Sequence, residues 1–168
     1  MKALNLGIFV VFQGRLYNKL HLRWRNLIKN PIKELAEWGK TLKILYVEDN
    51  DALRQEMKFF LSDIFEEIDE ACNEKEGLDK LATKSYDLVI SDIRMPVMDG
   101  IEMIKHIKER YPKQPILVTS AHNEVTYLVK LINLDVENFI TKPLQGEHIL
   151  RVLHHVIKNI KIEKEREH

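Results

Sequence analysis

Residues 86 to 100 read Tyr86-Asp-Leu-Val-Ile-Ser-Asp92 and then Ile-Arg-Met-Pro-Val-Met-Asp-Gly100. The run Leu88-Val-Ile90 is wholly apolar, as expected of a parallel strand covered by helices on both faces, which makes residues 87–91 a central strand. It ends on a carboxylate, Asp92, and on a loop in which Pro96 and Gly100 punctuate turns. Three more β-prone runs follow the same plan. Ile44-Leu-Tyr-Val47 precedes the acidic pair Glu48-Asp49, Ile116-Leu-Val118 precedes Thr119 and Ser120, and Phe139-Ile140 leads to Lys142-Pro143. Each run thus places chemistry at the carboxyl end of a predicted strand, where ligands bind in an open parallel α/β sheet.

From Leu42 onward apolar runs alternate with helical patterns, the rhythm of a doubly wound five-stranded α/β fold. The strands are expected at about 42–47, 64–71, 87–91, 115–119 and 137–141, with five helices between and after them. Asn50 or Asp51 caps a helix carrying Leu53, Met57, Phe60 and Leu61 at helical spacing. The second strand bears Glu66, Glu67, Asp69 and Glu70, which suits an edge facing water. Asn73 and Glu76 form a capping-box-like start for the next helix, with Leu78 and Leu81 on its inner face. Ile101, Ile104 and Ile107 mark the third helix, residues 123–133 the fourth and 145–163 the last.

The first forty residues do not join this rhythm. Leu20, Trp24, Leu27, Ile28, Leu35 and Trp38 share a face if the segment is helical, and Asn30-Pro31 reads as the cap and first residue of a second helix. Residues 1–40 are therefore expected to form a basic amphipathic extension, 41–160 the α/β domain, and 161–168 a charged tail. Net charge is zero over 168 residues, but residues 1–40 hold eight basic against two acidic side chains, near +6, which leaves about −6 for the rest. The stretch Leu4 to Phe12 is far shorter than the roughly 20 residues that span a bilayer. No small-residue cleavage site follows it, which argues against secretion. The single cysteine, Cys72, fits a reducing cytosol and is expected to be a small core residue. The seven histidines show no zinc-type spacing.

Glu48, Asp49 and Asp92 are the candidate metal ligands. Magnesium takes about six oxygens, commonly from carboxylates, waters and a phosphate. Without a cation the three acids would repel one another. Asp92 is the candidate nucleophile, because it ends the central strand and enters a tight loop. Attack on phosphorus would give an acyl phosphate, whose oxygens need stabilisation from the Lys142 charge and a hydroxyl on strand four.

Taken in order, Ile44-Leu-Tyr-Val-Glu-Asp49, Tyr86–Asp92 with Met95-Pro96 and Asp99-Gly100, Pro115-Ile-Leu-Val-Thr-Ser-Ala121 and Phe139-Ile-Thr-Lys-Pro143 resemble a response-regulator receiver domain, the phosphoacceptor half of bacterial two-component signalling. The resemblance implies a flavodoxin-like sheet of strand order 2-1-3-4-5 and phosphorylation of Asp92 by a histidine kinase or phosphotransfer protein. It implies Mg2+ held by Asp49 and Asp92 directly, by Glu48 through water and by the backbone carbonyl of Arg94. It implies a switch in which Ser120 moves toward the phosphoryl group and Phe139 turns inward, and a cis Lys142-Pro143 peptide. Thr119 competes for the hydroxyl role, but Ser120 fits the family's register. The output face would comprise helix four, strand five and helix five, around Val125, Tyr127, Lys130, Phe139 and Arg151. Two turns depart from the family pattern, Ala71-Cys-Asn-Glu74 and Leu134-Asp-Val136. Arg94 and His122 stand where the family tunes phosphoryl lifetime.

A receiver of this kind is a cytoplasmic phosphoacceptor with self-catalysed transfer and hydrolysis, not an enzyme turning over small molecules. A haloacid-dehalogenase-type phosphatase needs an aspartate where Arg94 stands. Standalone receiver and fragment of a larger regulator with an output domain both remain open, as does a homodimer. A third reading gives residues 15–38 nucleic-acid or anionic-membrane contact, although no helix-turn-helix or zinc motif accompanies them.

Overall fold

The computed structural model describes residues 29–93, 100–120, 125–136 and 138–167. Within them the chain runs α1 (Lys29–Gly39), β1 (Lys43–Val47), α2 (Asp51–Ser62), β2 (Glu67–Ala71), α3 (Glu74–Thr83), β3 (Leu88–Asp92), α4 (Gly100–Arg110), β4 (Ile116–Ser120), α5 (Val125–Asn133), β5 (Asn138–Thr141) and α6 (Gly146–Arg166). The strands form one parallel sheet in the order β2-β1-β3-β4-β5, the flavodoxin-like architecture expected. The order reverses between β1 and β3, so their carboxyl ends flank the crevice where such sheets bind ligands.

Alternation along the strands divides the core into two layers. Ile44 and Tyr46, Leu88 and Ile90, and Leu117 pack on the α2 and α6 side with Met57, Leu61, Leu153 and Ile157. Leu45, Val47, Val89 and Val118 pack on the other side with Met103, Ile104 and Ile107 of α4. All five positions of β3 and of β4 are buried, so both are central strands.

The edge strand β2 is half exposed, and its acids are paired: Glu67 with Lys43, Glu70 with Lys58, and Asp69 with Lys84 at 2.7 Å. It begins at Glu67 rather than at residue 64. Ile64 and Phe65 are core side chains, but their N–H groups donate to the Leu61 carbonyl at the end of α2, so they close that helix and are not free for a ladder. The expectation that Cys72 is buried is also corrected. The strand ends at Ala71, which is 1% exposed, and Cys72 lies in the turn beyond it with its side chain in solvent. The side chain buried just beyond that turn is Glu74, the first residue of α3.

α1 is a helix outside the βα repeat. Lys29 and Asn30 are both helical, so Asn30 lies inside the helix and is not its cap. Leu35 is 1% exposed within the α2/α6 core layer. Trp38 stacks on His154 of α6 with ring centroids 5.8 Å apart, Lys161 lies over the same indole, and Glu34 Oε2 is 3.3 Å from His154 Nε2. A Cβ on Gly39 would stand 2.6 Å from the Ile64 carbonyl oxygen, so glycine permits the close approach of α1 to the end of α2. α6 continues as helix to Arg166, through most of the expected tail. Residues 1–28 of the expected extension lie outside the described residues.

Candidate functional site

Two strands and one loop bring the acids together. Glu48 and Asp49 follow β1, Asp92 ends β3, and each offers an oxygen within 4.8 Å of those of the other two. Glu48 is 1% and Asp92 6% exposed, whereas Asp49 is half-buried. Lys142, one residue past β5, reaches across the edge. Its Nζ donates to Asp92 Oδ2 at 2.7 Å and to Glu48 Oε2 at 3.1 Å. The peptide that follows, Lys142–Pro143, is cis.

The backbone holds these groups in place. Asn50 caps α2 by accepting from the Leu53 N–H at 3.0 Å, which settles the choice between Asn50 and Asp51 and turns the chain away immediately after the acidic pair. Asp92 Oδ1 accepts from the Ile93 N–H at 2.7 Å. The Ser91 hydroxyl donates to the Asp92 carbonyl at 2.8 Å. Gly100 opens α4 directly against this backbone: a Cβ there would lie 2.8 Å from the Asp92 carbonyl oxygen and 2.7 Å from that of Ile93. Only glycine fits without displacing the strand end.

Burial pushes the Glu48 carboxyl above its ordinary range, the Lys142 charge opposes that, and Asp92 adds to it. Burial works against the Lys142 ammonium, but its hydrogen bond and charge interaction with Asp92, followed by those with Glu48, raise its pKa on balance. The lysine therefore stays charged between the two carboxylates. Tyr46, mostly desolvated and beside Glu48, is held firmly as the neutral phenol.

Of the two candidate hydroxyls, Thr119 pairs with Asp92 in the β3–β4 ladder and its Oγ1 is buried without a hydrogen-bond partner among the described residues. Ser120, the residue the resemblance selects, is 8% exposed at the end of β4, and its carbonyl accepts from the Lys142 N–H at 2.7 Å. Phe139 is 40% exposed on β5 beside Arg151, Val152 and His155. Tyr127 and Lys130 sit on α5 with the ammonium over the phenol ring. Arg94, His122 and the side chain of Val125 lie outside the described residues.

Sequence reading missed three supports of the site. Tyr46 OH approaches Glu48 Oε2 at 3.4 Å, a contact foreshadowed by the two-residue spacing that puts both on one face of β1. Arg54 Nη1 donates to the Glu48 carbonyl at 2.8 Å, and its side chain also pairs with Asp51 and Glu70; no local signal marks it. Gly100 was legible only as a turn residue, not as the floor under Asp92.

The donor set suits a hard cation: three carboxylates, two of them desolvated, at the end of a sheet. Glu48, Asp49 and Asp92 would hold it, and a bound Mg2+ would neutralise charge on an incoming phosphoryl group.

An open parallel sheet of order 2-1-3-4-5 with a carboxylate cluster and a lysine at its switch point defines the receiver class, and the chain belongs to it. Residues 44–154 match the response regulator receiver domain family. Among curated relatives, the sensory transduction protein LytR of Staphylococcus haemolyticus is 35% identical over 129 residues, which cover 76% of this chain and 50% of LytR. The chemotaxis protein CheY of Thermotoga maritima is 32% identical over 117 residues, 69% of this chain and 98% of CheY. Among solved structures, the N-terminal domain of an uncharacterized protein from Wolinella succinogenes superposes with a TM-score of 0.67 at 35% identity, covering 74% of this chain and 99% of that one. The chemotaxis protein CheY4 of Vibrio cholerae gives a TM-score of 0.64 at 29% identity, covering 68% and 98%. This chain spans about half the length of the LytR, FixJ and DltR relatives it matches.

Proposed function

We propose that Asp92 accepts a phosphoryl group from the phosphohistidine of a sensor histidine kinase or phosphotransfer protein in a Mg2+-dependent reaction. A carboxylate oxygen of Asp92 attacks phosphorus and forms the P–O bond. The P–N bond of the donor breaks, and its electron pair returns to the imidazole. The observation that carries the reading is the placement of Asp92 at the end of a central strand, among two further carboxylates and 2.7 Å from the Lys142 ammonium. Lys142 supplies fixed positive charge to the transferred oxygens, and Ser120 a hydroxyl. Water later hydrolyses the acyl phosphate, so the protein is a phosphoacceptor and not an enzyme with small-molecule turnover.

The product biases an equilibrium between two shapes of the β4–α5–β5 region, through Ser120 and the half-exposed Phe139. The face of α5, β5 and α6 with Tyr127, Lys130, Phe139 and Arg151 is the contact surface for a downstream protein. No helix among the described residues is long and apolar enough to cross a membrane, and a cytoplasmic site of action fits this chemistry. Incubation with a small phosphodonor, read by intact mass, tests the assignment. One phosphoryl group is gained in Mg2+, and none is gained with chelator or in Asp92→Asn. Uptake persisting in both conditions refutes it.

A further inference from the structure

We infer that Arg54 is a positioning residue for the cation: its guanidinium fixes the peptide that joins Glu48 to Asp49 and so orients the Asp49 carboxylate for Mg2+. The inference rests on the phosphoacceptor reading of the site and adds to it a residue outside the acidic cluster.

Glu48 and Asp49 stand where the support of the sheet runs out. β1 ends at Val47, and beyond it the Glu48 N–H still donates to the Ala71 carbonyl of the edge strand at 3.1 Å. The Glu48 carbonyl lies past the paired residues, and Arg54 Nη1 takes it up at 2.8 Å. A peptide is planar, so holding that carbonyl also holds the nitrogen and Cα of Asp49. Lys142 grips the carboxylates of Glu48 and Asp92 and not that of Asp49, so the backbone under Asp49 carries more of its orientation.

The setting of Arg54 points the same way. It is in the first turn of α2, where the helix macrodipole disfavours a cation, and its side chain is only 13% exposed. Specific partners keep it there. One terminal nitrogen pairs with Asp51, and Nε lies 3.7 Å from Glu70 Oε2 on β2. Glu70 is steadied in turn by Lys58 and by Gln55 Nε2 at 3.4 Å. Two carboxylates therefore already answer the guanidinium charge, and its three nitrogens are spent on three groups: the Glu48 carbonyl, the start of α2 and the edge strand. A fork of fixed geometry can bridge all three, and the single ammonium of a lysine cannot.

The sign of one measurement separates this role from its competitors. If Arg54 acted through charge, its removal would tighten Mg2+, because one positive charge fewer would repel the ion. If it acts as a brace, its removal frees Asp49 and weakens Mg2+. Calorimetric titration of Mg2+ into the unphosphorylated full chain makes the comparison. Arg54→Met and Arg54→Lys are each expected to raise the dissociation constant about tenfold or more, the usual cost of losing a group that orients a metal ligand. Glu70→Gln, which leaves Arg54 in place, should weaken Mg2+ by a smaller factor. Circular dichroism verifies that each variant folds. Tighter binding in Arg54→Met assigns a charge effect, and wild-type affinity in Arg54→Lys shows that any cation suffices. Wild-type affinity in both, with a lowered urea midpoint, assigns a purely structural role. Each of these overturns the inference. Where the Arg54 variants do not fold, Glu70→Gln decides, and unchanged Mg2+ affinity there overturns it too. A wild-type chain that takes up no Mg2+ removes the phosphoacceptor reading itself, a failure distinct from variants that match a wild type that binds.

Discussion

Lys142 is asked to do two things that pull against each other. Its ammonium neutralises the buried pair Asp92 and Glu48, and it occupies the charge position a divalent cation would share. Lys142→Met removes a positive charge a few ångströms from the carboxylates, so Mg2+ should bind several-fold more tightly by calorimetric titration. Phosphoryl uptake from a small donor should fall by about 10²-fold or more, the usual cost of losing a fixed group aimed at developing charge. Tighter metal with undiminished uptake would remove Lys142 from the chemistry. The hydroxyls separate in the same way. Thr119 Oγ1 is buried and unpaired among the described residues, so Thr119→Val should raise stability by about 1 kcal/mol in urea unfolding, because an unmet polar group is replaced by a methyl of equal shape. Ser120→Ala should slow phosphorylation. If Thr119→Val is the variant that slows it, the roles of the two are exchanged.

Helix ends show where local rules reach and where they stop. At α3 the capping box was legible, and Asn73 Oδ1 does accept from the Glu76 N–H at 2.9 Å. Glu76, however, reaches one residue further back than the motif prescribes, to the Cys72 N–H at 2.8 Å. That bond, with the contacts to the Cys72 side chain and Lys80, lowers the Glu76 carboxyl from its ordinary 4.5 to about 2. A depressed carboxylate stabilises the fold fully above its unfolded pKa and loses that contribution as pH falls through its folded pKa. The Glu76 contribution should therefore fade between about pH 4.5 and 2, and Glu76→Gln should flatten the acid limb of thermal unfolding in that window. With the carboxylate 39% exposed, the effect at neutral pH is about 1 kcal/mol. In the turn that closes α5, Asp135 has φ 54° and Val136 N–H donates to the Leu131 carbonyl, so an aspartate fills the left-handed position that glycine commonly takes. Asp135→Ala should cost about 1 kcal/mol and Asp135→Gly should not, by the same unfolding assay. The strand ends and the acidic site were readable because apolar run, turn and carboxylate are adjacent in sequence. The limits of β2 were not, because Ile64 and Phe65 are as apolar as strand residues and only their N–H partners distinguish them. Cys72 was misplaced for a similar reason: a turn's rotation decides which side chain enters the core, here Glu74 rather than Cys72, and composition does not record it.

Whether α1 is part of the folding unit is a question about the whole molecule. α1, described over Lys29–Gly39, is anchored by what it packs on. Its Leu35 is 1% exposed in the same core layer as Tyr46, Leu61 and Leu153, which no surface appendage would be. Leu35→Ala should cost about 2–5 kcal/mol, the range for truncating a buried leucine, and should shift the urea midpoint of the entire domain. Both tryptophans of the chain, Trp24 and Trp38, precede β1, which provides a clean assay. In Trp24→Phe the remaining indole, stacked on His154, reports α1 alone, whereas far-ultraviolet circular dichroism reports mainly the five helices and the sheet beyond it. Coincident urea transitions by the two probes mean that α1 and the receiver unfold as one cooperative unit. A fluorescence transition at lower urea would mean that α1 detaches from a folded receiver, and Leu35→Ala should then move only that first step.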